Sequence, residues 1–170
     1  MSGARRLLIL GGLALVIWGM GYGLWYAVFA EHQALDGIGA SLATGFAGAA
    51  KHDGAAAQAA LTRYREVKYV YDRQVDIHSH WIGLAMLLIV LGIAYERVAL
   101  GERLRYLLAL GLVLGAVIFP LGVLLQTLSH GAGPRAVTVL GAGLVIGALG
   151  GMALGFARGP RFYRGGRTAS

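Results

Sequence analysis

The chain has no cysteine among its 170 residues. That excludes a disulfide framework, a zinc–thiolate site and a thiol nucleophile, and leaves His, carboxylates and Met as the side chains able to hold a metal. Charge is scarce too: Asp, Glu, Lys and Arg make up 14% of the residues, against about a quarter in ordinary soluble domains. A chain this poor in charge and 57% hydrophobic cannot cover a water-soluble core of its size. Nor can it be disordered, which requires low hydrophobicity and dense charge. The phosphate loop, the Rossmann fingerprint, the Gly-x-Ser-x-Gly elbow and the His-Glu-x-x-His zinc motif are all missing, as is the paired Glu-x-x-His of di-iron bundles. Gly19, Gly21 and Gly23 lie inside an apolar run with no strand before them, so they do not form a nucleotide loop.

Long apolar runs take the place of these motifs. Leu7 to Ala30, Ile77 to Tyr95, Tyr106 to Ser129 and Ala136 to Ala157 contain no Asp, Glu, Lys or Arg. About 20 helical residues at ~1.5 Å each cross the ~30 Å hydrocarbon core of a bilayer. The sequence therefore predicts an all-α, single-domain integral membrane four-helix bundle over 1–170, with transmembrane helices at about 7–30, 77–97, 105–129 and 136–157. The first run is far longer than the ~7–15 residues of a signal-peptide core, which predicts a retained helix.

Arginine placement gives the direction of crossing. Arg5 and Arg6 precede the first span, Arg97, Arg103 and Arg105 separate the second from the third, and Arg158, Arg161, Arg164 and Arg167 follow the fourth. By the positive-inside rule these segments, and both termini, are cytoplasmic. Nine arginines there face only Glu96 and Glu102, which accounts for the whole net charge of +7; the two outward connections carry six bases and six acids. The basic balance reports orientation and leaves no basic patch for nucleic acid. Thirteen of the fifteen basic residues are Arg, and Gly alone contributes 28 residues, a composition that suits a GC-rich bacterial genome and hence a bacterial inner membrane.

The outward segment 31–76 is too long for a bundle connection, which needs roughly 2–8 residues. From Ala55 onward, Ala57, Ala60, Leu61, Tyr64, Val67 and Tyr71 recur at three- and four-residue spacing, the period of one helix face. The spacing predicts an amphipathic helix running into the second span, a turn at Lys51-His52-Asp53-Gly54, and with the glycine-bearing first half an outward helical hairpin that could dock a partner. Gly143, Gly147, Gly151 and Gly155 repeat every fourth residue, which predicts a smooth strip for close helix packing, chiefly within the chain. Pro120 is expected to kink the third span. Tyr22, Trp25, Tyr26 and Trp81 suit one interfacial aromatic belt, with Tyr95, Tyr106 and Trp18 toward the other half.

All five histidines fall on the outward side: His32, His52, His78, His80 and His130. His78 and His80, two residues apart, point in opposite directions on a helix, and His80 is preferred as the inward one. Asp36, Asp76 and Gln126 each stand four residues from His32, His80 and His130 respectively, the spacing at which an acid or amide can bond a ring N–H and orient a metal-ligating imidazole. Gly83, one turn past His80, would leave room for a macrocycle. Two imidazoles would hold a haem b with both axial positions filled; three, with a carboxylate, would suit copper, zinc or iron. Candidate haem ligands are thus His80, His130, His32 and His78, and candidate metal ligands His80, His130 and His32. In general layout the outward loop and the His-bearing start of the second span are similar to one half of the membrane haem A synthases, which implies haem binding there; the chain departs from that pattern in having no His in its fourth span.

Two functions follow. One is a small subunit of a bacterial respiratory or electron-transfer complex, carrying haem b or a metal, with a quinone or a periplasmic electron carrier as redox partner. The other is a cofactor-free accessory or assembly subunit packing against larger membrane-protein subunits. Histidines bonding water or lipid headgroups at the interface would fit the second. Asp72, Asp76 and His80 also share one helical stripe, the pattern of a proton path or quinone-headgroup site.

Overall fold

The computed structural model describes residues 2–129 and 131–158. Among these the chain is all-helical: α1 (Gly3–Phe29), α2 (Glu31–Ala50), α3 (Gly54–Ala94) followed by a 3-10 turn at Tyr95–Arg97, α4 (Glu102–Leu128) and α5 (Ala132–Ala157). Four of these, α1, α3 with its turn, α4 and α5, are long and apolar enough to cross a membrane, as in a multi-pass membrane protein.

The segment 31–76 is helical almost throughout. The chain leaves α1 without a real break, because the Ala30 N–H still donates to the Tyr26 carbonyl at 2.9 Å and the Ala34 N–H to the Ala30 carbonyl at 3.2 Å. The interior glycines of α2, each costing about 1 kcal/mol relative to Ala in an isolated helix, are partly explained by packing. A Cβ on Gly48 would lie 2.9 Å from the Ala57 backbone nitrogen, so glycine is what lets α2 and α3 meet there. The turn falls where the sequence places it. His52 has φ 55°, the Asp53 N–H donates to the Gly48 carbonyl at 2.9 Å, and the Asp53 carboxylate caps α3 by accepting the Ala56 N–H at 3.0 Å. From there α3 runs 41 residues from the charged segment into the second span.

The spans pack through small residues. On α1, Gly12 lies against Ala85 and Leu88, Gly19 against Trp81 and Ile82, and Gly23 against His78. Between α4 and α5 the approach is closer: a Cβ on Gly141 would sit 2.4 Å from the Phe119 nitrogen, and one on Gly122 would sit 2.5 Å from the Thr138 nitrogen. Leu8, Ile77, Trp81, Leu88, Leu112 and Met152 fill the core. Pro120 is buried within α4, which continues helical through it.

Two expectations are corrected. The Gly143–Gly155 strip does not pack as a unit: Gly143 and Gly147 face open space, while Gly151 meets Leu108 and Gly155 meets Val98 and Leu100. A four-residue repeat drifts by about 40° per step on a helix of 3.6 residues per turn, so three steps carry it across a third of the circumference. The buried line is instead Gly141, Val145, Ala148, Met152 and Gly155, which alternates four and three. The aromatic belt also divides. Trp18 is 58% exposed and Trp25 also faces outward, but Trp81, Tyr95 and Tyr26 are buried core residues, Trp81 at 1% exposure.

Candidate functional site

His80 and His78 leave α3 in opposite directions, as their spacing requires. The His80 ring stands edge-on to Phe119 of α4, centroids 4.7 Å apart, and its Nδ1 lies 2.6 Å from the Asp76 carbonyl. A carbonyl only accepts, so Nδ1 carries the proton and, in the neutral ring, Nε2 keeps a lone pair. The expected residue thus orients His80, but through its main chain; the Asp76 carboxylate instead takes Arg73 at 3.2 Å. Gly83 faces open space one turn on.

His78 turns toward α1. Its Nδ1 is 3.0 Å from the Gly19 carbonyl, and a Cβ on Gly23 would come within 2.4 Å of its ring. The missing side chain at Gly23 thus leaves the space this imidazole fills, and the Gly19 carbonyl anchors it, so His78 packs in the α1–α3 interface. His32 is 85% exposed at its side chain, with its Nε2 3.5 Å from the Asp36 carboxylate, and among the described residues it forms no metal-holding group with His80. His130 lies outside the described residues. Gln126 joins α4 to α5, donating to the Thr138 hydroxyl at 2.7 Å, while Thr138 donates to the Pro134 carbonyl at 3.0 Å. Among the described residues no three of His, Asp and Glu come together in a way that could hold a metal ion.

The Asp72–Asp76–His80 stripe is a face of ion pairs. Lys68 reaches Asp72 at 2.8 Å, and that hydrogen bond holds the lysine ammonium above its ordinary range. Arg73 takes Asp76. Deeper polar groups escaped the sequence reading. Tyr22 donates to Gln74 across the α1–α3 interface, and the Tyr26 hydroxyl and Trp81 indole nitrogen are buried with no hydrogen-bond partner among the described residues. Composition alone marks these aromatics as interfacial, and no spacing signal distinguishes them.

Farther along α2 and α3, Leu42, Phe46, Leu61 and Tyr64 border a recess of about 250 Å³ floored by Ala57 and Ala60. Phe46 is 74% exposed there, and Leu35 and Leu42 are exposed on the same flank of α2.

No protein-family model matches the sequence, and neither a curated protein nor a solved structure is significantly similar to it.

Proposed function

We propose that this chain is a small accessory subunit of a bacterial inner-membrane complex. In this reading α1, the second half of α3, α4 and α5 form a transmembrane four-helix bundle with both termini cytoplasmic. The outward hairpin, made of α2 and the first half of α3, is the surface on which a larger subunit docks. The observation that carries the reading is the exposed apolar flank of that hairpin. Arg63, Arg65, Glu66, Lys68 and Asp72 along α3 hold this half in water, since ionised groups are costly in hydrocarbon. An exposed Phe46 beside an apolar recess is then what a contact surface looks like. The two helices alone bury only Ser41, Gly48 and Ala60 in this stretch, and most helical stability in proteins comes from tertiary packing. A Phe46→Asp variant tests it on native gels of membranes solubilised in mild detergent. It should run as the free chain while the wild type runs in a larger species; identical migration of the two rejects the reading.

A second reading is favoured by the orientation of His80. An imidazole with Nδ1 tied to a carbonyl and Nε2 available is the usual state of a metal or haem ligand. It would make the chain an electron-transfer subunit holding haem b, copper, iron or zinc through His80 with His130, and passing electrons to a quinone or a periplasmic carrier. His80 supplies one donor, and a closed site needs at least a second. The purified protein should then show a Soret band or stoichiometric metal that His80→Ala removes; a colourless, metal-free wild type rejects it.

A further inference from the structure

The N-termini of α1 and α4 meet at the end of the molecule that carries Arg5, Arg103 and Arg105, and between them lies a cavity of about 480 Å³. Its walls are chiefly apolar, with a polar edge. Ala4, Tyr106 and Leu107 supply apolar surface, while Tyr95 donates its hydroxyl to the Arg105 carbonyl. The Arg105 guanidinium lies over the Tyr95 ring at 5.8 Å, and its Nε is buried without a hydrogen-bond partner. Arg5 lies outside the cavity lining and pairs through Nη1 with Glu96 at 2.8 Å. The α4 helix begins after Gly101, which offers no side-chain cap, so its first-turn N–H groups lack intrahelical acceptors.

These features select a ligand class. Guanidiniums and uncapped amides repel a metal cation and are wasted on a purely apolar molecule, but together they suit phosphate oxygens. Glu102 also borders the cavity, so Arg103 and Arg105 exceed it by a single charge, which suits a singly charged phosphodiester better than a doubly charged monoester. Leu107 of that wall is itself exposed, as is Leu104 on the same helix, a surface for acyl chains. Basic pockets of this kind at the end of membrane helices are where acidic lipid headgroups bind. We propose that this cavity is a headgroup site for an acidic phospholipid, the phosphodiester taking hydrogen bonds from Arg105, Arg103 and the first turn of α4.

The test is lipid binding to the full-length protein in neutral detergent, read by native mass spectrometry and thermal unfolding with phosphatidylglycerol, phosphatidylcholine or inorganic phosphate. Phosphatidylglycerol should bind and raise the melting temperature; the other two should do neither. Arg103→Gln, at an exposed position, should weaken phosphatidylglycerol binding about tenfold, the loss of one charge-assisted hydrogen bond. Arg105→Gln should weaken it at least as much. Arg158→Gln, an arginine outside the cavity, should leave it unchanged. Equal binding of phosphatidylcholine, equal protection by inorganic phosphate, or equal losses in Arg103→Gln and Arg158→Gln would each overturn the proposal.

Discussion

Replacing Gly141 by Ala puts a methyl group where α4 and α5 leave no space for one. The added Cβ would sit 2.4 Å from the Phe119 nitrogen and 2.6 Å from its Cα, whereas ordinary contact begins near 3.4 Å. Both obstacles are backbone, so no rotamer change relieves them, and the helices must separate by about 1 Å, the difference between 2.4 and 3.4 Å. Overpacking of this kind costs about 1–3 kcal/mol. The same movement would stretch the 2.7 Å Gln126–Thr138 hydrogen bond beyond bonding range, and interhelical bonds in membranes are worth roughly 0.6 kcal/mol on average. Gly143→Ala is the matched control. It faces open space, and exchanging Gly for Ala within a helix is favourable by up to about 1 kcal/mol. Thermal unfolding of the two variants in one detergent should therefore give shifts of opposite sign, a lower midpoint for Gly141→Ala and an equal or higher one for Gly143→Ala. A Gly141→Ala protein as stable as wild type, or a Gly143→Ala protein that loses as much, would refute the described α4–α5 interface.

The two adjacent histidines should also differ. His78→Ala empties the space beside Gly23 and removes the bond to the Gly19 carbonyl across the α1–α3 interface, and should cost about 2 kcal/mol, whereas His80→Ala, whose hydrogen bond stays within its own helix, should change the unfolding midpoint much less; the reverse order would contradict the two orientations. Because the chain has no cysteine, single replacements report topology cleanly. A membrane-impermeant maleimide should label His52→Cys in intact cells and Ala99→Cys only after lysis, and labelling of both from outside would overturn the orientation read from the arginines.

Much of the helical plan is legible in the sequence because length and charge exclusion decide it. A charge-free run of nineteen or more residues has few alternatives to a membrane-length helix. The turn at Lys51 to Asp53 is legible as well, since Asp53 is both a good cap and adjacent to Gly54. What is not legible depends on angles around helix axes. A repeat of four reads as a stripe on paper, yet Gly143 and Gly155 end up on different faces. Trp81 and Tyr26 have the composition of interfacial residues, and only their place opposite Gly19 and Tyr71 sends them inward. The histidines illustrate both sides. Their two-residue spacing gives opposed directions for His78 and His80, but that His78 would be claimed by two glycines of α1 depends on the register between helices. The glycines at 19 and 23 signal a close approach without saying what approaches. The i−4 relation of Asp76 to His80 indicates a contact without saying that the main-chain carbonyl, and not the carboxylate, makes it.

The most direct test of the hairpin as a docking surface is site-specific photo-crosslinking in native membranes. A photoreactive phenylalanine analogue at position 46 should give one discrete adduct larger than the chain alone. The same group at Ala40, about 120° away on α2 and also exposed, should give none. An absence of adduct at position 46, or equal adducts from both positions, would contradict a partner seated on the Leu42–Phe46 flank.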